Sequence, residues 1–136
     1  MRVVLDANVL VSAVISTVGP PRQIVDAWVD GRLELVASPS LLGELREVLD
    51  RPKFRRWVST ATATEFIDGL AQDALIAEDP SARSGLSPDP DDDYLIALAR
   101  AANTDHLVSG DRHLLDLDDP QPPVLTPRQF IDLIGA

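Results

Sequence analysis

Short apolar runs rich in β-branched residues alternate with longer segments of helical periodicity along this chain of 136 residues. Each run is too short for a helix and suits a strand that is buried on both faces of a sheet. The predicted strands occupy residues 3–5, 33–37, 75–77 and 106–109, with a fifth at Leu125. The predicted helices occupy residues 21–30, 39–51, about 64–75, 91–102 and 127–134, and residues 8–15 form a helix or a turn. Strands that alternate with helices form parallel sheets covered on both faces. The order therefore predicts a single α/β domain over residues 1–136, with three α/β/α layers and a central, mostly parallel sheet of about five strands.

The charge balance and the lack of cysteine narrow the functional classes. The net charge is −10, so overall charge does not attract nucleic acid, and such a role needs a local basic patch or a metal. A chain without cysteine has no disulfide and no thiolate metal site. No run approaches the roughly 20 apolar residues of a membrane span, and the N-terminus lacks a signal-peptide pattern. We therefore expect a cytoplasmic protein with no membrane partner.

Carboxylates recur at four places that a parallel sheet would bring to one edge. Asp6 and Asp111 directly follow predicted strands, and ligands of open parallel sheets collect outside the carboxyl ends of the strands. Glu44 lies at the border of the apolar face of its helix, whereas Glu47 points nearly opposite. The fourth place is the acidic run at residues 91–93, in the first turn of a predicted helix. Taken singly, each of these acids also suits a helix cap or a solvated position.

Acids that gather without basic neighbours repel one another and need a cation. Hard oxygen ligands prefer Mg²⁺ or Mn²⁺, and nucleases with such a site use the ions to activate water and to stabilise the leaving oxygen. Three polar residues near the predicted edge are candidates to orient these ligands or a bound water: Asn8, Ser12 and Ser109. Asn8 alternatively caps the helix that follows it, and the two serines alternatively make ordinary backbone hydrogen bonds.

Four separated motifs stand in a defined order: "VVLDANVLVSA", "SPSLLGELREVL", "PDPDDDYLIALA" and "LVSGDRHLL". In order and spacing they resemble the PIN-domain family, and most closely the VapC-like PIN toxins of bacterial toxin–antitoxin systems. The later segment "VLTPRQFI" matches the usual closing strand and helix. The resemblance implies a metal-dependent endoribonuclease that holds Mg²⁺ or Mn²⁺, is often a homodimer, and is inhibited by a cognate antitoxin protein. It places Asp6, Glu44 and Asp111 on the family's acidic positions, and Asn8 on a position that is frequently Asn or Thr.

The remaining acidic position of the family has two candidates in this chain. Counting back from Asp111 with the spacing of the VapC-like branch falls on Asp93. The branch with an Asp-Asn pair at this point instead places its acid on Asp92. We carry both as candidate metal ligands and favour Asp93. Ser109 stands where the family more often has Thr, and this difference keeps the hydroxyl group.

Residues 46–57 form a basic segment, with five basic and two acidic residues in a chain that is acidic overall. Aromatic and cationic residues interleave here, a combination that tracks a nucleic-acid backbone and stacks bases. The candidate RNA contacts are Lys53, Arg55, Arg56 and Trp57. Alternatively the segment is a solvated loop whose aromatic residues pack into the core, or it forms the antitoxin-binding or dimer surface.

The predicted function is hydrolysis of RNA phosphodiester bonds by a metal-activated water, in the toxin of a toxin–antitoxin pair. The rival enzyme class is Mg²⁺-dependent aspartyl phosphotransfer, as in phosphatases of the haloacid-dehalogenase type. That class expects a second Asp two residues after the first and a well-placed Lys, whereas this chain has Asn8 there and Lys53 as its only lysine. A third possibility is a non-catalytic interaction module with the PIN fold, which the four filled acidic positions disfavour.

Overall fold

A parallel sheet forms the centre of the protein. The computed structural model describes residues 1–80 and 90–135, with residues 90–92 described by their backbone alone. The strands are β1 (Arg2–Leu5), β2 (Glu34–Ala37), β3 (Leu75–Ile76), β4 (His106–Val108) and β5 (Val124–Leu125). They lie in the order β3-β2-β1-β4-β5, and every neighbouring pair is parallel. The predicted parallel sheet of about five strands is thus confirmed.

The helices connect these strands in the predicted alternation. They are α1 (Ala7–Ile15), α2 (Pro20–Val29), α3 (Pro39–Leu49), α4 (Thr60–Asp73), α5 (Pro90–Ala101), α6 (Arg112–Leu115) and α7 (Pro127–Ile134), with a 3-10 helix at Pro52–Arg56. Within residues 1–80 and 90–135, none is both long and apolar enough to cross a membrane. The prediction missed α6 and the 3-10 helix. The prediction also began α4 four residues late, because it placed the start where the regularly spaced apolar residues begin. In the structure the helix begins earlier, where the Ser59 hydroxyl caps it by accepting a hydrogen bond from the Thr62 N–H.

Alternate residues of β1 face opposite layers, as expected of a strand buried on both sides. Val3 and Leu5 join a core cluster with α1, α2, α3, α4 and α7, in which Phe130 is fully buried. Val4 joins a second cluster with α5 and α6, which contains Leu98. The two clusters lie on the two faces of the sheet, so the molecule has the predicted three layers.

The strand order reverses direction beside β1. From β1 the chain adds β2 and β3 on one side, and then crosses to the other side to add β4 and β5. In an open parallel sheet such a switch point leaves a crevice at the carboxyl ends of the two central strands. Here those ends are followed by Asp6 after β1 and Ser109 after β4.

Candidate active site

Asp6 is buried at the switch point and is held by both neighbouring elements. The residue is only 6% exposed. Oδ1 accepts a hydrogen bond from the Val9 N–H at 2.9 Å, which caps α1, and Oδ2 accepts one from the Ser109 hydroxyl. The Asp6 N–H donates to the Val108 carbonyl at 3.1 Å and extends the β1–β4 pairing. Asp6 is therefore the N-cap of α1, as the alternative interpretation of the sequence expected. The capping hydrogen bond also holds its carboxylate at the edge of the sheet.

The electrostatic surroundings of Asp6 oppose its charge. Burial raises the pKa of the Asp6 carboxyl above its usual value, while the hydrogen bonds from Ser109 and Val9 act in the opposite direction. The negative charge of Asp111 raises this pKa further. The charged form of this buried carboxylate is therefore destabilised. A nearby cation would offset both the free-energy cost of burying the charge and the repulsion from Asp111.

Ser109 connects Asp6 to Asp111. Its side chain is fully buried, and its Oγ accepts from the Asp111 N–H at 2.9 Å while its hydroxyl donates to Asp6. Asp111 is half-buried, and its Oδ1 accepts from the His113 N–H at 2.9 Å, which caps α6. The structure thus brings Asp6 and Asp111 together through one serine.

Asp93 is a second buried acid, in the first turns of α5. Because α5 follows β3 and leads to the amino end of β4, its first turn lies on the carboxyl side of the sheet. Asp93 is 6% exposed, and its Oδ1 is buried without a hydrogen-bond partner in the part of the chain that the structure describes. A buried carboxylate oxygen without a partner is costly. The alternative candidate Asp92 has a side chain that lies outside the described residues.

Glu44 lies on the exposed side of α3, whose buried face carries Leu41 and Leu45. Within residues 1–80 and 93–135, no three acidic or histidine side chains are gathered closely enough to hold a metal ion. The structure therefore pairs Asp6 with Asp111, and it does not assemble the predicted four-carboxylate cage from the described side chains.

The other predicted supporting residues lie along α1. The Asn8 side chain is exposed, and its backbone N–H faces the Asp6 carboxylate. Since Asp6 caps α1, the alternative role of Asn8 as the helix cap is wrong. Ser12 is half-buried farther along the helix, and a role for Asn8 or Ser12 at a bound cation stays a prediction.

A hydroxyl network that the sequence did not predict lies at the carboxyl end of β2. The Tyr94 hydroxyl donates to Asp79 Oδ1 at 2.5 Å, so the hydrogen bond between Tyr94 and Ser38 has the Ser38 hydroxyl as its donor. Burial and the bond to Asp79 raise the pKa of Tyr94 to about 12. The network joins the start of α3, the segment after β3 and the turn of α5 next to Asp93. One signal was available, because Ser38 follows a strand in the same way as Asp6 and Ser109.

A family model described as PIN domain matches residues 2–113. The chain belongs to the PIN-domain family. This PIN domain is 26% identical over 141 aligned positions to MJ1680, an uncharacterised protein of Methanocaldococcus jannaschii, with 97% of this chain and 90% of that protein covered.

Two solved structures share the fold of this PIN domain. PAE2754 of Pyrobaculum aerophilum matches with a TM-score of 0.66 at 16% identity, over 99% of this chain and 90% of that one. VapBC2 of Rickettsia felis, solved bound to a DNA fragment from their promoter, matches with a TM-score of 0.65 at 15% identity, over 93% and 98%. The resemblance to the PIN-domain family is therefore confirmed.

The basic segment of this PIN domain consists of the last turn of α3 and the 3-10 helix at Pro52–Arg56, rather than a solvated loop. Phe54 packs against the core, as the alternative interpretation expected, but Trp57 remains 56% exposed. The Arg55 guanidinium donates to the Leu49 carbonyl and to Thr60 Oγ1, which ties the end of α3 to the start of α4. Of the four predicted RNA contacts, Lys53, Arg56 and Trp57 are exposed. Arg55 is half-buried, and its hydrogen bonds connect α3 to α4.

Proposed function

We propose that this PIN domain is a metal-dependent endoribonuclease and the toxin of a toxin–antitoxin pair, which hydrolyses RNA phosphodiester bonds. PIN domains are in general nucleases, and a VapBC complex shares the fold. The observation that carries the proposal is the repulsion between buried Asp6 and half-buried Asp111 at the switch point of the sheet. A buried acid beside a second acid does not stabilise a fold, whereas it suits a cation site.

The residues fit Mg²⁺ or Mn²⁺ by their chemistry. Asp6 and Asp111, which the structure pairs, would supply the first oxygen ligands. Asp93, or Asp92 as its alternative, and Glu44 are the further candidates, and they would have to move closer to this pair to complete a site, since the described side chains form no group of three. The buried Oδ1 of Asp93, which has no hydrogen-bond partner among the described residues, suits a metal ligand, because a hard cation binds carboxylate oxygens. When bound, the cation supplies positive charge that makes a water molecule more acidic and stabilises the leaving oxygen.

The protein's own residues prepare this site. Asp6 is held from two sides, by the Val9 N–H and by the Ser109 hydroxyl, so its oxygens do not need to be ordered when a ligand arrives. Ser109 also holds the backbone of Asp111. Such outer hydrogen bonds orient ligands and raise affinity for the metal. A proton released during hydrolysis passes to one of the site carboxylates.

The rival aspartyl phosphotransfer mechanism needs Asp6 as an accessible nucleophile. Asp6 is 6% exposed, and both of its oxygens already accept hydrogen bonds. These features support a ligand in preference to a nucleophile. Incubation with a phosphodonor should therefore leave Asp6 unlabelled, and covalent phosphorylation of Asp6 would favour the rival class.

The decisive experiment compares RNA cleavage by the purified protein with and without Mn²⁺. We expect cleavage of a mixed RNA sample only with the metal, and none by Asp6→Asn. Asp132→Asn is the matched control, because it removes an exposed carboxylate on α7 and should cleave normally. Metal-independent cleavage, or full activity of Asp6→Asn, contradicts the proposal.

The toxin role is tested in cells that lack an antitoxin. Induced expression of the wild type should arrest growth, while Asp6→Asn should not. We also propose that a cognate antitoxin protein and a second copy of the chain are its partners. Undisturbed growth on expression of a protein that cleaves RNA in vitro would separate the nuclease from the toxin role.

A further inference from the structure

An exposed cluster of cations and aromatic rings follows α3, and it is separate in the chain from the acidic residues Asp6, Asp93 and Asp111. We call Lys53, Phe54, Arg56 and Trp57 the basic–aromatic platform. Trp57 is more than half exposed, although an indole ring gains much free energy on burial. Lys53 and Arg56 are also exposed, in a chain whose net charge is −10. The platform is therefore a local positive and aromatic surface on an acidic protein.

The cations of the platform lie on rings rather than beside carboxylates. Lys53 Nζ is 5.1 Å from the centroid of the Phe54 ring, and Arg56 Cζ is 5.1 Å from the centroid of the Trp57 indole. The two rings are 6.3 Å apart and tilted by 52°. In the described ranges, the ion pairs between side chains use Arg2 and Arg22 as their cations. The positive charges at Lys53 and Arg56 thus remain available to an anion.

The backbone of the platform is held in place by packing and by hydrogen bonds. Phe54 is half-buried against the core, and Arg55 ties the 3-10 helix to α3 and α4. Because the backbone is held in this way, little conformational entropy is lost when a ligand binds. The preorganised arrangement of ring and cation is typical of surfaces that stack a base and contact the phosphates beside it.

We propose that the platform binds an unpaired nucleic-acid strand, with a base stacked on Trp57 and phosphates beside Lys53 and Arg56. An unpaired strand is favoured because its bases have exposed faces, which a duplex hides. An acidic peptide would use the two cations but would leave the exposed indole without a stacking partner. The inference that this strand is the substrate rests on the proposed nuclease function.

The position of the platform suits a substrate strand. α3 begins directly after Ser38, at the carboxyl end of β2, and its 11 residues span about 16 Å. The platform follows the end of this helix. A strand of several nucleotides anchored there has the reach to extend along α3 toward the acidic edge of the sheet.

Tryptophan fluorescence tests the proposal without any cleavage. Trp28→Phe leaves Trp57 as the only tryptophan of the chain, so its emission is the reporter. In EDTA, we expect saturable quenching by a short single-stranded oligouridylate, and no quenching by an RNA duplex of the same length. A single-stranded DNA oligonucleotide forms a second arm, which shows whether the platform distinguishes RNA from DNA. Equal quenching by the duplex would overturn the proposal.

Variants then assign the contacts. Trp57→Ala should weaken binding of a labelled oligonucleotide about tenfold or more, as expected for loss of one stacked base. Arg56→Gln and Lys53→Gln should each lower the slope of log affinity against log salt by about 0.7, the value for one phosphate contact in a single strand. The matched control is Arg128→Gln, an exposed arginine on α7, which should leave affinity and slope unchanged. Arg55→Lys should lower the thermal midpoint without lowering the salt slope.

The outcomes separate the two proposals. Unchanged affinity in Trp57→Ala and unchanged salt slope in Arg56→Gln overturn the platform, even if the protein cleaves RNA. Quenching by an oligoglutamate peptide with the same dependence on Arg56 also overturns it, in favour of an acidic protein partner. Platform-dependent binding by a protein that cleaves no RNA supports the platform and counts against the nuclease.

Discussion

Removing the Ser109 hydroxyl should destabilise the protein in a way that depends on pH. Ser109→Ala deletes two hydrogen bonds, one donated to the buried carboxylate of Asp6 and one accepted from the Asp111 N–H. A hydrogen bond to a charged group contributes about 1.5–3 kcal/mol, and one between neutral groups about 0.5–1.5 kcal/mol. Alanine leaves almost no cavity, so the expected loss is about 3 kcal/mol at neutral pH. For a chain of this size it lowers the melting temperature by about 10 °C.

The pH dependence follows from the direction of the Asp6 pKa. Burial already raises this pKa in the folded state, and the Ser109 bond lowers it, so Ser109→Ala raises it further. A folded-state pKa above the unfolded value means that the ionised acid destabilises the fold, and that stability is regained as pH falls through the folded pKa. The wild type and the variant should therefore differ most above both folded pKa values. The difference should shrink as pH approaches 3.8, the unperturbed value.

Urea unfolding at neutral pH and near pH 4 measures both free energies. Ser109→Thr is the matched control because it keeps the hydroxyl, and any packing cost of its extra methyl group does not change with pH. An equal loss for Ser109→Ala at the two pH values would refute the assigned charge of Asp6. A pH-dependent loss in Ser109→Thr would refute the role of the hydroxyl.

Three further predictions concern the site, the hydroxyl network and the core. Without metal at neutral pH, Asp6→Asn should raise the free energy of unfolding, since it removes a buried charge. The same variant should abolish the stabilisation of the protein by Mn²⁺ in a thermal melt, and an unchanged stabilisation by Mn²⁺ would contradict the role of Asp6 as a ligand. Tyr94 is the only tyrosine, so ultraviolet absorbance should show almost no tyrosinate at pH 10 and a midpoint near 12. Asp79→Asn should lower that midpoint, and an unchanged midpoint would exclude the hydrogen bond as a cause. Phe130→Ala should cost about 3–5 kcal/mol in urea unfolding, because this ring is fully buried, whereas a loss below about 1 kcal/mol would mean that the ring is not a core anchor.

The sequence determined the features that depend on neighbouring residues. Apolar runs and helical spacing predict the strands and most helices, and the start of α3 was predicted because Ser38 and Pro39 form a local cap signal. The position of Asp6 at the end of β1 was also predicted from neighbouring residues, since a short apolar run typical of a buried strand ends immediately before it. Where no local apolar signal exists, as in residues 60–63 of α4, the prediction failed.

Only the tertiary structure decided which of these features meet. The bond between Asp6 and Ser109 joins residues 103 positions apart, and it exists because β4 crosses the sheet to lie beside β1. The Tyr94 network likewise depends on the fold bringing Tyr94 of α5 to Ser38 at the end of β2, and the exposure of Trp57 depends on how the 3-10 helix packs on the core. Periodicity reports the face that a residue presents on its own element. Strand order and helix packing depend on the total apolar surface that segments distant in the chain bury against one another, and a pattern of neighbouring residues does not contain that information.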